Sequence, residues 1–248
     1  MIKDLRKYLK QIWNFLWNDD SLLSWVVNIV LAFILIKFIV YPGLGFVFAT
    51  THPVVAVVSG SMEHKTSPVC IGDDKNSIGC DKYNYVLCGN NYNEKNRVNL
   101  DFFWKDCGGW YEREEIGISK EEFNSFKFKN GFNKGDIMVL RGKGIKDITV
   151  GDVVVFQSGK PDPIIHRVVK KFDVNGVTKI QTKGDHNIDS LENVLIDETS
   201  ITEKQVVGTA LFRIPLLGYI KIGFVKGICF KPVKKTINLF YKNLRCGI

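Results

Sequence analysis

Residues 22–40 read Leu-Leu-Ser-Trp-Val-Val-Asn-Ile-Val-Leu-Ala-Phe-Ile-Leu-Ile-Lys-Phe-Ile-Val. A hydrocarbon core of roughly 30 Å takes a helix of about 20 residues, so this run predicts a membrane span. Asn28 and Lys37 weaken the signal, but Lys37 is near the outer end, where its stem reaches the interface. Pro42 and Gly43 are expected to end the helix. A cleaved secretion signal is the alternative. The polar stretch before residue 21 is long for one and no A-x-A cleavage pattern follows, which favours an uncleaved anchor. Lys and Arg crowd the residues before the span and are absent from Phe38 through Glu63, which predicts a cytoplasmic N-terminus with the rest of the chain outside.

Charge needs the same frame. The net charge is +8, and the excess sits at the two ends: Lys3, Arg6, Lys7 and Lys10, then Lys226, Lys231, Lys234, Lys235, Lys242 and Arg245. Basic clusters beside apolar sequence favour a lipid bilayer over a nucleic acid as partner. Cysteine usage argues against zinc. Cys70, Cys80, Cys88 and Cys107 are widely spaced, with no C-x-x-C pair and no histidine at ligand spacing. All four fall in one polar segment, so outside the cytoplasm two disulfides are expected, with three connectivities open; free buried thiols are the bland alternative. Cys229 and Cys246 stay unassigned.

After the anchor, residues 53–58 are β-branched and small, a strand pattern. Residues 64–130 turn rich in Asn, Asp, Lys, Gly, Tyr and Trp, as an inserted lobe would. Its Trp104, Trp110 and Tyr111 are expected in the lobe core rather than on a substrate-facing surface. Short apolar runs at 137–140, 153–156, 164–169, 176–181 and 205–212 lie between turn signals and predict antiparallel strands. Gly135-Asp136-Ile137 and Gly151-Asp152-Val153 echo one another as two similar turns entering strands. The fold class is therefore mainly β: an antiparallel β domain behind an N-terminal transmembrane helix, with an inserted lobe. The expected divisions are 1–20 cytoplasmic, 21–42 anchor, 43–63 with 131–220 as the β domain, 64–130 as the lobe, and 221–248 as a basic membrane-associated tail. Residues 214–230 are apolar but carry Lys221 and Lys226, which favours a surface-lying segment over a second span.

The strand at 53–58 runs into Ser59-Gly60-Ser61-Met62-Glu63. A serine hydroxyl needs a base to become a nucleophile, and donors must meet the oxyanion its attack creates. The Ser61 N–H and the Ser59 hydroxyl are candidates for that second task. Of four histidines, His52 and His64 flank the serine too closely, and His186 sits in a turn-like Gly-Asp-His-Asn stretch. His166 lies in the apolar run Ile164–Val169, where a lone histidine is more often structural than catalytic. An imidazole is a good base near neutral pH and works best with a carboxylate on its other nitrogen. Asp185 and Asp189 lie downstream in the same region.

In order, Val57-Val58-Ser59-Gly60-Ser61-Met62-Glu63, Lys134-Gly135-Asp136-Ile137-Met138-Val139, Ile165-His166-Arg167-Val168-Val169 and Thr182-Lys183-Gly184-Asp185-His186-Asn187 resemble the type I signal peptidases, in their archaeal and endoplasmic-reticulum branch. Val206-Val207-Gly208 and Ile214-Pro215-Leu216-Leu217-Gly218-Tyr219 resemble its closing segment. The likeness covers roughly 20–65 and 130–220. It implies a membrane-bound serine endopeptidase that removes signal peptides after small residues, with Ser61 as nucleophile, His166 as general base, and no metal or organic cofactor. It also implies preproteins as substrates, with translocation machinery or accessory subunits as possible partners. Two departures stand out. The family's second acidic residue falls at Leu191 here, so Asp189, or failing it Asp185, is expected to orient His166. The other is the long 64–130 segment, which suggests an archaeal source, while the Lys, Ile and Asn richness of the chain suggests an AT-rich source genome. The rival readings are a self-cleaving regulatory protease, which the span argues against, and a catalytically silent membrane-tethered β module that binds partners.

Overall fold

The computed structural model describes residues 2–71, 83–96 and 98–217. It divides into two compact units, Met1–Pro53 and Val54–Ile248. The expected tail at 221–248 lies outside the described residues, as do Cys80, Cys229 and Cys246.

The first unit is helical. Helix α1 (Ile2–Trp17) is followed by α2 (Leu22–Leu35), which Ser21 caps by accepting from the Ser24 N–H. A wide π turn at Ile36–Val40 joins α2 to α3 (Tyr41–Phe48). The three pieces form a continuous apolar helix of 27 residues, Leu22–Phe48, the one helix among the described residues long and apolar enough to cross a membrane. Its length of about 40 Å at 1.5 Å per residue exceeds the hydrocarbon core. Contrary to expectation, Pro42 and Gly43 do not end it. The π turn, in which the Tyr41 N–H donates to the Ile36 carbonyl, lies just before Pro42, and local widening of that kind absorbs the missing proline N–H and its steric clash. The helix stops at Ala49 in the left-handed region, φ 51°.

The second unit is built on a six-stranded sheet. Its elements in chain order are β1 (Val54–Ala56), β2 (Ser67–Cys70), β3 (Tyr83–Leu87), β4 (Asn90–Tyr92), α4 (Leu100–Tyr111), α5 (Lys120–Ser125), β5 (Ile137–Arg141), β6 (Val153–Phe156), β7 (Ile164–Val174), β8 (Val177–Lys183), β9 (Glu192–Asn193), β10 (Ile196–Asp197) and β11 (Val206–Ile214). The main sheet runs β1-β5-β11-β6-β7-β8, with every pairing antiparallel. Both faces are covered, which is why β6 is apolar at every position. Val153 and Val155 pack with Val57, Met62, Phe132, Met138 and Leu140, while Val154 and Phe156 pack on the other face with Ile145, Ile148, Val168, Ile180 and Ile201. The two Gly-Asp echoes are matching turns: Gly135 and Gly151 take φ of 93° and 90°, and Asp136 and Asp152 each accept from the backbone N–H three residues earlier.

The inserted segment has its own apolar core of Leu87, Phe103, Trp104, Cys107, Trp110, Tyr111, Ile118 and Phe123, which also takes in Val169 of β7. Trp104, Trp110 and Tyr111 are thus core residues. A disulfide joins Cys88, beside the β3–β4 turn, to Cys107 on α4, and Cys70 is also disulfide-bonded.

Candidate active site

Strand alternation sorts the polar residues of β7 and β8 into two groups. Directly opposed residues of an antiparallel pair share a face. His166 pairs with Val154, and Val168 with Thr182, so His166 and Thr182 lie on one face. Arg167 pairs with Val153 and with Lys183, on the other.

On the first face a hydroxyl, an imidazole and a carboxylate line up. Ser61 Oγ lies 2.8 Å from His166 Nε2. The other ring nitrogen, Nδ1, bonds to the Glu198 carboxylate. Glu198 is fully buried and also accepts from the Thr182 hydroxyl at 2.8 Å and the Leu191 N–H at 2.8 Å. A proton on Nδ1 donated to Glu198 leaves Nε2 free to accept from Ser61. Ser61 is the second residue of a tight turn closed by the Glu63 N–H on the Gly60 carbonyl. Its own carbonyl accepts from the His186 N–H at 2.8 Å, and Met62 is sunk in the core. The backbone on both sides of the hydroxyl is therefore held, while Ser61 itself is only half-buried. Ser59 Oγ lies 3.0 Å from Ser61 Oγ on the exposed side.

The expected carboxylates stand elsewhere. Asp185 belongs to the opposite face, where it accepts from Arg167 Nε at 2.9 Å and Nη2 at 2.7 Å, from the Tyr111 hydroxyl at 3.0 Å, and bonds to His64 Nε2 at 3.0 Å. Burial alone would raise its pKa, but the Arg167 charge and the His64 and Arg167 hydrogen bonds hold the carboxyl well below the usual carboxylate range. Asp189 accepts from Trp110 Nε1 at 2.8 Å and from the Ser190 N–H, and its side chain is largely exposed. The group on His166 Nδ1 is neither of them.

Glu198 went unnoticed because its distance along the chain from Gly-Asp misleads. The β9–β10 hairpin folds back so that Glu198 and Leu191 exchange backbone and side-chain hydrogen bonds, the Glu198 N–H donating to the Leu191 carbonyl at 2.8 Å. The acid thus arrives beside position 191 from seven residues further on. A two-strand hairpin between two turns was the one available sign.

Lys183 completes the second face. It is fully buried, donates to the Gly184 carbonyl at 3.2 Å, and its ammonium lies 5.0 Å and 4.9 Å from the Trp110 and Tyr111 ring centroids. Burial pushes it down to about 8 against the pull of Asp185, Glu198 and Asp189. Among the described residues no cluster of His, Cys, Asp and Glu has the arrangement of a metal site. A surface cleft of about 400 Å³ around Gln157, Val194, Leu195 and Lys204 contains none of the site residues.

A half-buried serine on a buried imidazole, itself held by a carboxylate, is the arrangement that acyl transfer by a serine hydrolase requires. Comparison with known proteins narrows the class. The chain is similar to the signal peptidase complex catalytic subunit SEC11 of Colletotrichum graminicola, 37% identical over 94 residues, covering 37% of this chain and 55% of the relative. The same subunit of Pyricularia oryzae is 36% identical over 94 residues, with the same shares. That of Leptosphaeria maculans is 40% identical over 96 residues, 37% of this chain and 54% of the relative. The chain thus spans about half the length of the curated relatives it matches. No family model matches it. The resemblance to the reticulum branch of the type I signal peptidases is therefore carried by named relatives. These relatives are fungal, and they lend no support to an archaeal source.

Proposed function

We propose that the chain is a membrane-anchored serine endopeptidase that removes signal peptides from exported preproteins. The observation that carries this is the bond of Ser61 Oγ to His166 Nε2 at 2.8 Å, in a chain whose relatives are named catalytic subunits of the signal peptidase complex. A silent binding module has no need to bring these two side chains together across the sequence.

In the reaction, His166 Nε2 takes the Ser61 proton as Oγ attacks the scissile carbonyl. The Ser61 N–H and the Ser59 hydroxyl receive the oxyanion. Glu198, in the role sequence reasoning assigned to Asp189, holds the tautomer and stabilises the imidazolium. The proton then passes to the leaving amine, and water repeats the sequence on the ester. The apolar helix Leu22–Phe48 crosses the membrane, with the N-terminus in the cytoplasm and the β unit on the far side, where a disulfide is stable. Accessory subunits or the translocation machinery are the partners that fit this placement.

The test is cleavage of a signal-peptide-bearing precursor by the full chain in liposomes. Ser61→Ala and His166→Ala should lose at least about 10³-fold in rate. Glu198→Gln should lose about 10²- to 10⁴-fold, while Asp189→Asn stays near wild type. Substantial cleavage by Ser61→Ala would sink the proposal. Wild-type loss in Asp189→Asn with an active Glu198→Gln would return the orienting role to Asp189.

A further inference from the structure

Two polar side chains near the start of the apolar helix turn toward α1. Ser24 Oγ donates to the Phe15 carbonyl at 2.6 Å, and Asn28 Nδ2 donates to the Leu16 carbonyl at 2.8 Å. The last carbonyls of a helix have no partner of their own, so these two bonds seat the end of α1 against the start of the span. Asn28, which weakens the hydropathy of the run, thereby has a structural use.

Helix α1 is apolar along one side. At 100° per residue, Tyr8, Leu9, Ile12, Trp13 and Leu16 fall on one face, and Lys7, Lys10, Gln11 and Asn14 on the other. The apolar face is uncovered: Leu9 is 57% exposed, Trp13 59% and Trp17 69%. Trp13 and Trp17 stack with ring centroids 4.8 Å apart at its border, beside Arg6. Such a face does not stay in water, and what covers it follows from its surroundings. It is fastened to the first turns of a helix long enough to cross a bilayer, which holds it at the headgroup level. There, tryptophans are favoured and cations meet anionic lipid. A basic amphipathic helix at that depth lies in the interface plane.

We propose that α1 is an interfacial helix whose apolar face binds the surface of an anionic leaflet, with Ser24 and Asn28 fixing its departure from the span. The test compares the full chain with Trp13→Phe/Trp17→Phe in phosphatidylcholine/phosphatidylserine vesicles carrying lipids brominated near the glycerol end of the acyl chain. Wild type should lose the larger fraction of its tryptophan fluorescence. Equal fractional quenching, or a difference seen only with bromines at the chain ends, overturns the proposal; the first outcome includes α1 covered by protein, its own copy or another. Lys7→Glu/Lys10→Glu should abolish the extra quenching gained when phosphatidylserine is added to pure phosphatidylcholine. If that gain persists, the anionic preference is wrong. Both variants leave Leu22–Phe48 intact, so the chain remains embedded throughout.

Discussion

At Gly184 the backbone passes so close to the reacting pair that an added Cβ would lie 2.8 Å from His166 Nε2 and 2.9 Å from the Ser61 carbonyl oxygen. Both contacts are tighter than real side chains tolerate, and the second is with backbone that cannot swing aside. Gly184→Ala should therefore push the serine and the imidazole apart, cut precursor cleavage by about 10²-fold and cost about 1–3 kcal/mol of stability. Wild-type kinetics from that variant would mean the loop yields more than its contacts suggest. Neither the Ser61 motif nor the lone His166 singles out its residue; the expectation that they pair comes from the order of the blocks that resemble the signal peptidases. Glu198 was not legible in the sequence, since its place depends on how a hairpin closes.

Among the elements, the lobe does more than fill space. The Cys88–Cys107 disulfide, with a sequence separation of 19, ties the β3–β4 turn to α4. The Cys88 N–H in turn donates to the His186 carbonyl at 3.3 Å, and Trp110 and Tyr111 of α4 reach Asp189 and Asp185. The 184–190 loop that clamps Ser61 is thus braced from the lobe side. A Cys88→Ser/Cys107→Ser variant should lose about 3 kcal/mol of stability, on the chain-entropy view of a loop this size. Melting with and without reductant checks it: reductant should lower Tm in wild type more than in the variant. Strand positions follow from the short apolar runs between turn residues. The apolar helix runs on past Pro42, where an end was expected, because proline's effect depends on whether the preceding turn can widen.

At the scale of the whole molecule, Asp185 is where lobe and sheet meet. Arg167 comes from the sheet, Tyr111 from α4, and His64 from the segment leaving Ser61, its ring stacked 3.8 Å from Phe103. Removing one partner of a buried pair leaves the other charge uncompensated, so Asp185→Asn should cost about 3–5 kcal/mol in urea unfolding. The same pair shapes the pH dependence. The Asp185 carboxyl titrates below its unfolded value of about 3.9, so its contribution is complete above that pH and is lost as pH falls through the acid range. Lys183 acts at the alkaline end. Its folded value of about 8 lies below the unfolded one of about 10.4, so the unfolded chain holds more protons between them and stability should rise across that window. Urea midpoints at pH 7.5 and 9.5 should separate in wild type and converge in Lys183→Met.

The linear order of residues determined what depends on neighbours. The apolar run set a long apolar helix, short apolar runs between turn signals set an antiparallel sheet, and the order of the blocks around Ser61 and His166 set the expectation that the two meet. Which carboxylate serves His166 was decided only in three dimensions. Alternation along β7 puts the neighbours His166 and Arg167 on opposite faces and sends Asp185 to the arginine. The β9–β10 hairpin brings Glu198 to the imidazole from 32 residues away. Periodicity along one strand is written in the sequence. The meeting of two strands' faces and a hairpin's end depends on packing, which no single segment encodes.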